Sequence, residues 1–176
     1  MIRKITGWFI LVMVCTSFFT GCISYKRSAV KGAKSVYETF FINDSTDQYF
    51  IKPLYFRGSA AIEADFTFRK IHNDFSEVVM NFTVIVNAPQ NLENLQLQTF
   101  SGLVVVSSIK SLYREKKDEE YVYRYSSVIE YSALKDFICS ENPSIRYNDV
   151  VLFPSNQSLK VIDSLRSGLF EFEISE

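Results

Sequence analysis

Apolar and polar residues alternate along residues 57–71, RGSAAIEADFTFRKI. Ala60, Ile62, Ala64, Phe66 and Phe68 share one parity, and Ala61, Glu63, Asp65, Thr67 and Arg69 share the other. Side chains of a strand point to opposite faces with period two, so the segment is predicted as a half-buried strand. His72-Asn73-Asp74 supplies turn residues, and 76–87 alternate again through Val78, Met80, Phe82, Val84 and Val86. Together they read as an antiparallel hairpin. Further strands are predicted over 94–100, 102–113 and 121–131, the last two forming a long hairpin whose tip is the charged run REKKDEE at 114–120. Leu103-Val104-Val105-Val106 breaks the alternation, which predicts cover on both faces.

After residue 131 the period changes from 2 to 3.6. Ser132 is placed to cap a short helix in which Leu134, Phe137 and Ile138 share one face, with Pro143 preventing continuation. Residues 145–153 and 169–175 read as strands, the second with Phe170, Phe172 and Ile174 opposite Glu171 and Glu173. Residues 158–166 fit either pattern. Leu159, Ile162 and Leu165 suit a helix ending before Gly168, whereas Leu159, Val161 and Asp163 suit a strand, the reading adopted. The aromatic stretch 36–56 is broken by Asn43-Asp44-Ser45-Thr46-Asp47 and by Pro53, and is assigned an edge strand. The expected class is all-β or β-rich α+β: an antiparallel β-sandwich of about seven or eight strands with one short helix, an open barrel being the alternative.

Composition narrows the reading. Hydrophobic residues make up 47% of the 176, aromatics 15%, and there are only six Gly and four Pro, which argues for a packed domain. Nineteen Lys and Arg face twenty Asp and Glu. That balance leaves no electrostatic footprint for nucleic acid.

The N-terminus has its own pattern. Arg3 and Lys4 precede an uncharged run from Ile5 through Tyr25 with an apolar centre at Trp8–Val14, the layout of an export signal. A helix of that length, about 21 residues, would also just cross a bilayer core, so an inner-membrane signal anchor is the alternative. Phe19-Thr20-Gly21-Cys22 closes the run. This tetrapeptide resembles the lipobox of bacterial lipoproteins, a resemblance confined to the first 22 residues. It implies cleavage before Cys22, a diacylglycerol on the Cys22 thiol and a further fatty acyl chain, such as palmitate, on the new amine. It divides the chain into a signal peptide at 1–21, a basic tether at 22–35 carrying Lys26, Arg27, Lys31 and Lys34, and one domain at 36–176. Ile23 stands where an Asp would resemble an inner-membrane retention signal, so the expected location is the outer membrane, facing the periplasm. Cys139 is then the one thiol of the folded part, read as a small buried hydrophobe.

Candidate chemistry is sparse. A nucleophile needs a base within hydrogen-bond reach, and the only histidine, His72, lies in a predicted turn. One His and one thiol are too few for a typical zinc site, and no phosphate-cradling glycine pattern occurs. Glu63 with Asp65, and Glu171 with Glu173, share strand faces, an arrangement that is ordinarily solvated. No catalytic residue, metal or cofactor is assigned. The strongest pattern is aromatic: Tyr121, Tyr123 and Tyr125 share a parity, Tyr131 continues it, and Tyr113 lies across the hairpin tip. Such a row serves either as a packing ladder or as a contact face for sugar, peptide or protein. The expected function is a non-enzymatic envelope lipoprotein, held to membrane lipid through acylated Cys22 and binding another envelope protein. Carbohydrate or peptide binding through the tyrosines is the alternative, and a carboxylate-dependent hydrolase a more remote one.

Overall fold

The computed structural model describes residues 36–170. β3 (Ala61–Ile71) and β5 (Val78–Val86) pair antiparallel with Ala64 opposite Phe82 and Phe66 opposite Met80, so the predicted apolar parity lies on one face. Ile62, Ala64, Phe66, Met80, Phe82 and Val84 are all at most 1% exposed. β4 (Asp74–Phe75) folds back onto the end of β3 after the turn at His72. On one side β9 (Glu120–Ile129) pairs with β5, and β8 (Lys110–Lys117) pairs with β9.

On the other side β3 meets β2 (Thr46–Arg57), which bends. Its register with β3 shifts between Ile51 and Leu54, around Pro53, which has no N–H to give a ladder and is tolerated at such a bulge. Before the bulge β2 pairs with β1 (Tyr37–Asn43); beyond it Phe56 and Arg57 pair with β11 (Val150–Pro154). The ladder continues through β10 (Ser144–Tyr147) and β6 (Leu95–Thr99) to β7 (Gly102–Val105). Eleven described strands thus form one antiparallel sheet with the path β7-β6-β10-β11-β2-β3-β5-β9-β8. Gly58 sits where β11 approaches the β2–β3 turn; a Cβ there would come within 2.7 Å of Leu152 Cδ2.

The two ends of that path, β7 and β8, are consecutive in the chain. Five residue steps separate Val105 from Lys110 and can span at most about 18 Å, so the sheet must curl until its ends approach. Adjacent residues of this link touch the strand next to each end: the Val106 N–H donates to Leu95 O of β6 at 2.9 Å, and Ser127 Oγ of β9 donates to Ser107 O at 2.5 Å.

Two helices pack on the inner face. α1 (Tyr131–Cys139) buries Leu134, Phe137 and Ile138, with the Phe137 ring 5.9 Å from Phe56 and 6.4 Å from Phe66. α2 (Asn156–Leu165) starts at Ser155, whose side chain accepts from the Ser158 N–H, and buries Ser158, Ile162 and Leu165. A π-helical turn follows at Arg166–Phe170. Arg166 Nε donates to Ile138 O at 2.6 Å and Nη2 donates to Ser140 O, satisfying carbonyls at the C-terminal end of α1.

The β-rich antiparallel class expected from the alternation is the observed one, built as a single curled sheet in place of two stacked ones. Several elements differ from expectation. Residues 158–166 fall in helix and turn instead of a strand, because the Ser155 cap starts a helical period. Residues 145–153 divide into β10 and β11 at Asn148, whose φ of 50° makes a tight turn. Residues 102–113 divide at 106–109, where Ser108 has φ 54°. Stretch 36–56 supplies two strands, and β2 is internal to the sheet. Leu169 and Phe170 lie in the π-helical turn, and the rest of the predicted strand 169–175 lies outside the described residues, as do the export signal, Cys22 and the tether. No helix among the described residues is long and apolar enough to cross a membrane.

Candidate functional site

The β8–β9 hairpin carries the tyrosines. Lys117 pairs with Glu120, leaving a two-residue turn in which Asp118 has φ 55°, and the charges of REKKDEE sit in and beside it. Along β9 the predicted parity points Tyr121, Tyr123 and Tyr125 inward; Tyr123 is 5% exposed and Tyr125 4%, while Tyr121 is half-buried at the rim. The Tyr125 ring lies 5.2 Å from Phe82 and 6.5 Å from Tyr123. Arg114 stands over Tyr123 and Lys116 over Tyr121, each 5.6 Å from the ring centre. Tyr113 pairs with Arg124 and is exposed on β8. Tyr131 opens α1 and stacks on Phe75 at 4.1 Å. The structure therefore brings three of the five tyrosines together, two of them inside the core, and sets Tyr113 and Tyr131 elsewhere.

Tyr147 of β10 joins this cluster across the interior. Burial pushes its phenol up to about 12, and repulsion from ionised Tyr125 and Tyr123 adds to the rise. Burial also raises Tyr125, partly offset by the Arg114 charge. The Tyr125 and Tyr147 hydroxyls are buried with no hydrogen-bond partner among the described residues. A buried hydroxyl left unpaired costs about 1–3 kcal/mol, so Tyr147→Phe should leave stability unchanged or raised by about 1 kcal/mol in urea denaturation at neutral pH. A clear loss of stability would contradict the unpaired geometry. The alkaline limb gives a second readout. The folded-state pKa lies above the unfolded value near 10, so this stabilisation is complete below pH 10 and is lost as pH rises towards about 12. Tyr147→Phe should flatten that decline in thermal melts.

The outer face holds a polar network. Asp65 of β3 is only 6% exposed, against the expectation of a solvated carboxylate. Register explains it: Asn81 is directly opposite, and Arg124 reaches it from β9. Asn81 Nδ2 donates to Asp65 Oδ1 at 2.9 Å, Arg124 Nη2 to Asp65 Oδ2 at 2.5 Å, and Arg124 Nη1 to Thr83 Oγ1 at 2.7 Å. Glu63 accepts from Tyr55, whose pKa rises through burial and the Glu63 charge. Both Asp65 oxygens are engaged by neighbouring strands, so this carboxylate is held as a structural partner. His72 stands exposed in its turn with φ 56°, and no group of three or more potential metal ligands occurs among the described residues. Cys139, half-buried at the end of α1, makes no disulfide among the described residues.

The β6–β7 hairpin exposes apolar side chains, two of them in the run Leu103–Val106 for which cover on both faces was expected. Phe100, in the β6–β7 turn, is 79% exposed, and Leu103 and Val105 on β7 are 46% and 61% exposed. The turn is held firmly: the Phe100 N–H donates to Asp136 O at 3.2 Å, Ser101 Oγ to Asp136 Oδ2 at 2.6 Å, and Thr99 Oγ1 to Gly102 O at 2.8 Å. Gly102, with φ 125°, takes a conformation that residues with a Cβ rarely adopt. The expected cover on both faces fails because β7 ends the sheet. Beside the β8–β9 tip an open cleft of about 800 Å³ is lined by Asn87, Lys117, Asp118, Glu119 and Glu120. Comparison with family models, curated proteins and solved structures gives no match.

Proposed function

We propose that this chain is a non-enzymatic interaction module of the bacterial cell envelope, tethered to membrane lipid through acylated Cys22 and binding another envelope protein. The supporting observation is the β6–β7 hairpin, whose Phe100, Leu103 and Val105 project apolar surface from a turn fixed to α1. Exposed apolar residues grouped on one rigid element mark contact surfaces more often than catalytic ones. Lipid anchoring confines the module to two dimensions and raises its effective concentration, so a modest contact suffices. A photo-crosslinking residue at position 100 in living cells should yield an adduct with an envelope protein, and one at position 113 should not. No adduct from position 100, or equal yield from both, would count against the reading.

A carbohydrate- or peptide-binding lipoprotein is the second reading, favoured by the cleft at the β8–β9 tip, whose lining of Asn87, Lys117, Asp118, Glu119 and Glu120 precedes half-buried Tyr121 in the chain. Loss of glycan or peptide binding in Tyr121→Ala, with Phe100→Ala silent, would promote it over the first.

A further inference from the structure

We propose that the occupant of the β7 edge is a second copy of this chain, the two β7 strands pairing antiparallel about a two-fold axis at Val104. The inference rests on the reading of the β6–β7 hairpin as a contact surface and adds a second copy of the chain along its β7 edge, beside the envelope protein met at Phe100.

The backbone supplies the first argument. The Val106 N–H donates to Leu95 O, and the ladder runs on through Val104 opposite Leu97 and Gly102 opposite Thr99. Antiparallel ladders turn successive N–H and C=O groups to alternate sides. Those of Leu103 and Val105 therefore point away from β6, and β7 pairs with no other described strand. The residues whose backbone groups have no partner among the described residues are the two that expose apolar side chains.

Register supplies the second. An axis at Val104 sets Leu103 opposite the partner's Val105, and the reverse, joining apolar side chains across the new pair while each couple exchanges both backbone bonds. An axis at Leu103 would instead set Val105 against the partner's Ser101 and lose that match. Charge supplies the third. The opposite end of the sheet, β8, reads KSLYREKK, and self-pairing would crowd the cations Lys110, Arg114, Lys116 and Lys117 of two copies along one edge. Charged edges of this kind resist pairing, whereas Gly102–Val105 carries neither charge nor proline.

Magnitude sets the strength. Phe100, Leu103 and Val105 leave on the order of 300 Å² of apolar surface exposed, well below the roughly 800 Å² per partner of a stable interface. The dimer is accordingly weak and in rapid exchange, visible in the micromolar range.

The test uses the full chain in detergent. Sedimentation velocity should show reversible dimerisation as concentration rises, and Leu103→Lys with Val105→Lys, both at exposed positions, should weaken it at least about tenfold. Val104→Cys in a Cys139→Ser background should form an oxidised dimer absent from the background alone, since residues facing across a non-hydrogen-bonded pair lie about 4.5 Å apart at Cα, within disulfide reach. A chain monomeric at every concentration, or a dimer indifferent to the two lysines, overturns the inference. If the chain is monomeric but the lysines abolish the crosslink from position 100 to an envelope protein, the second copy is refuted and the contact surface stands. If neither dimer nor crosslink is found, both fail.

Discussion

Phe137→Ala should lower the unfolding free energy by about 3–5 kcal/mol, the range for truncating a buried aromatic whose site cannot collapse. Phe137 is fully buried, and its ring bridges α1 to Phe56 on β2 and Phe66 on β3. Collapse is hindered because α1 is fixed at both ends: Tyr131 stacks on Phe75, and Arg166 holds the carbonyls of Ile138 and Ser140. The same helix carries Asp136, which fixes the β6–β7 turn, so loosening α1 should also raise amide exchange at Phe100. Urea denaturation checks the first effect and hydrogen exchange the second. A loss below about 1 kcal/mol would mean that the helix is not the filling of the curled sheet.

Asp65→Ala is expected to cost about 3 kcal/mol, since removing one member of a buried pair leaves the other desolvated and unpaired. The Arg124 side chain is 23% exposed, which places the expectation at the low end of the range for such pairs. Asn81 also loses its acceptor. Replacing both charges, Asp65→Leu with Arg124→Met, should recover most of the loss, because no orphaned charge remains. Strictly additive effects in that double-mutant cycle would contradict a coupled pair.

Strands β3, β5 and β9 were legible because each has one face in the core and one outside, so the period-two signal is clean. α1 was legible for the same reason at period 3.6. Two short chain breaks escaped. Asn148-Asp149 and the link at 106–109 each break a run of strand-forming residues without Gly or Pro, with Asn148 and Ser108 at positive φ. α2 was misjudged because Leu159 and Val161 carry weight in either pattern; the deciding signal is Ser155, directly after Pro154, accepting from Ser158. The burial of Asp65 depends on strands 16 and 59 residues away in sequence, and local pattern does not encode that pairing. The shared face of Tyr121, Tyr123 and Tyr125 was legible from parity, but the extension of the row to Tyr131 assumed a strand that gives way to α1. Leu103 and Val105 were missed as surface, because an apolar run has the same appearance in an inner strand and in an uncovered terminal one.

The proposed function joins a lipid anchor, expected from Phe19-Thr20-Gly21-Cys22, to a domain that exposes Phe100, Leu103 and Val105 on one rigid hairpin. Without the anchor, the weak contacts offered by that hairpin lose the confinement that makes them sufficient. The most direct measurement is mass spectrometry of the chain recovered from the membrane fraction of the producing bacterium. The account predicts an N-terminal peptide beginning at Cys22 and bearing fatty acyl chains. A chain that still begins at Met1, with an unmodified thiol at position 22, would contradict it.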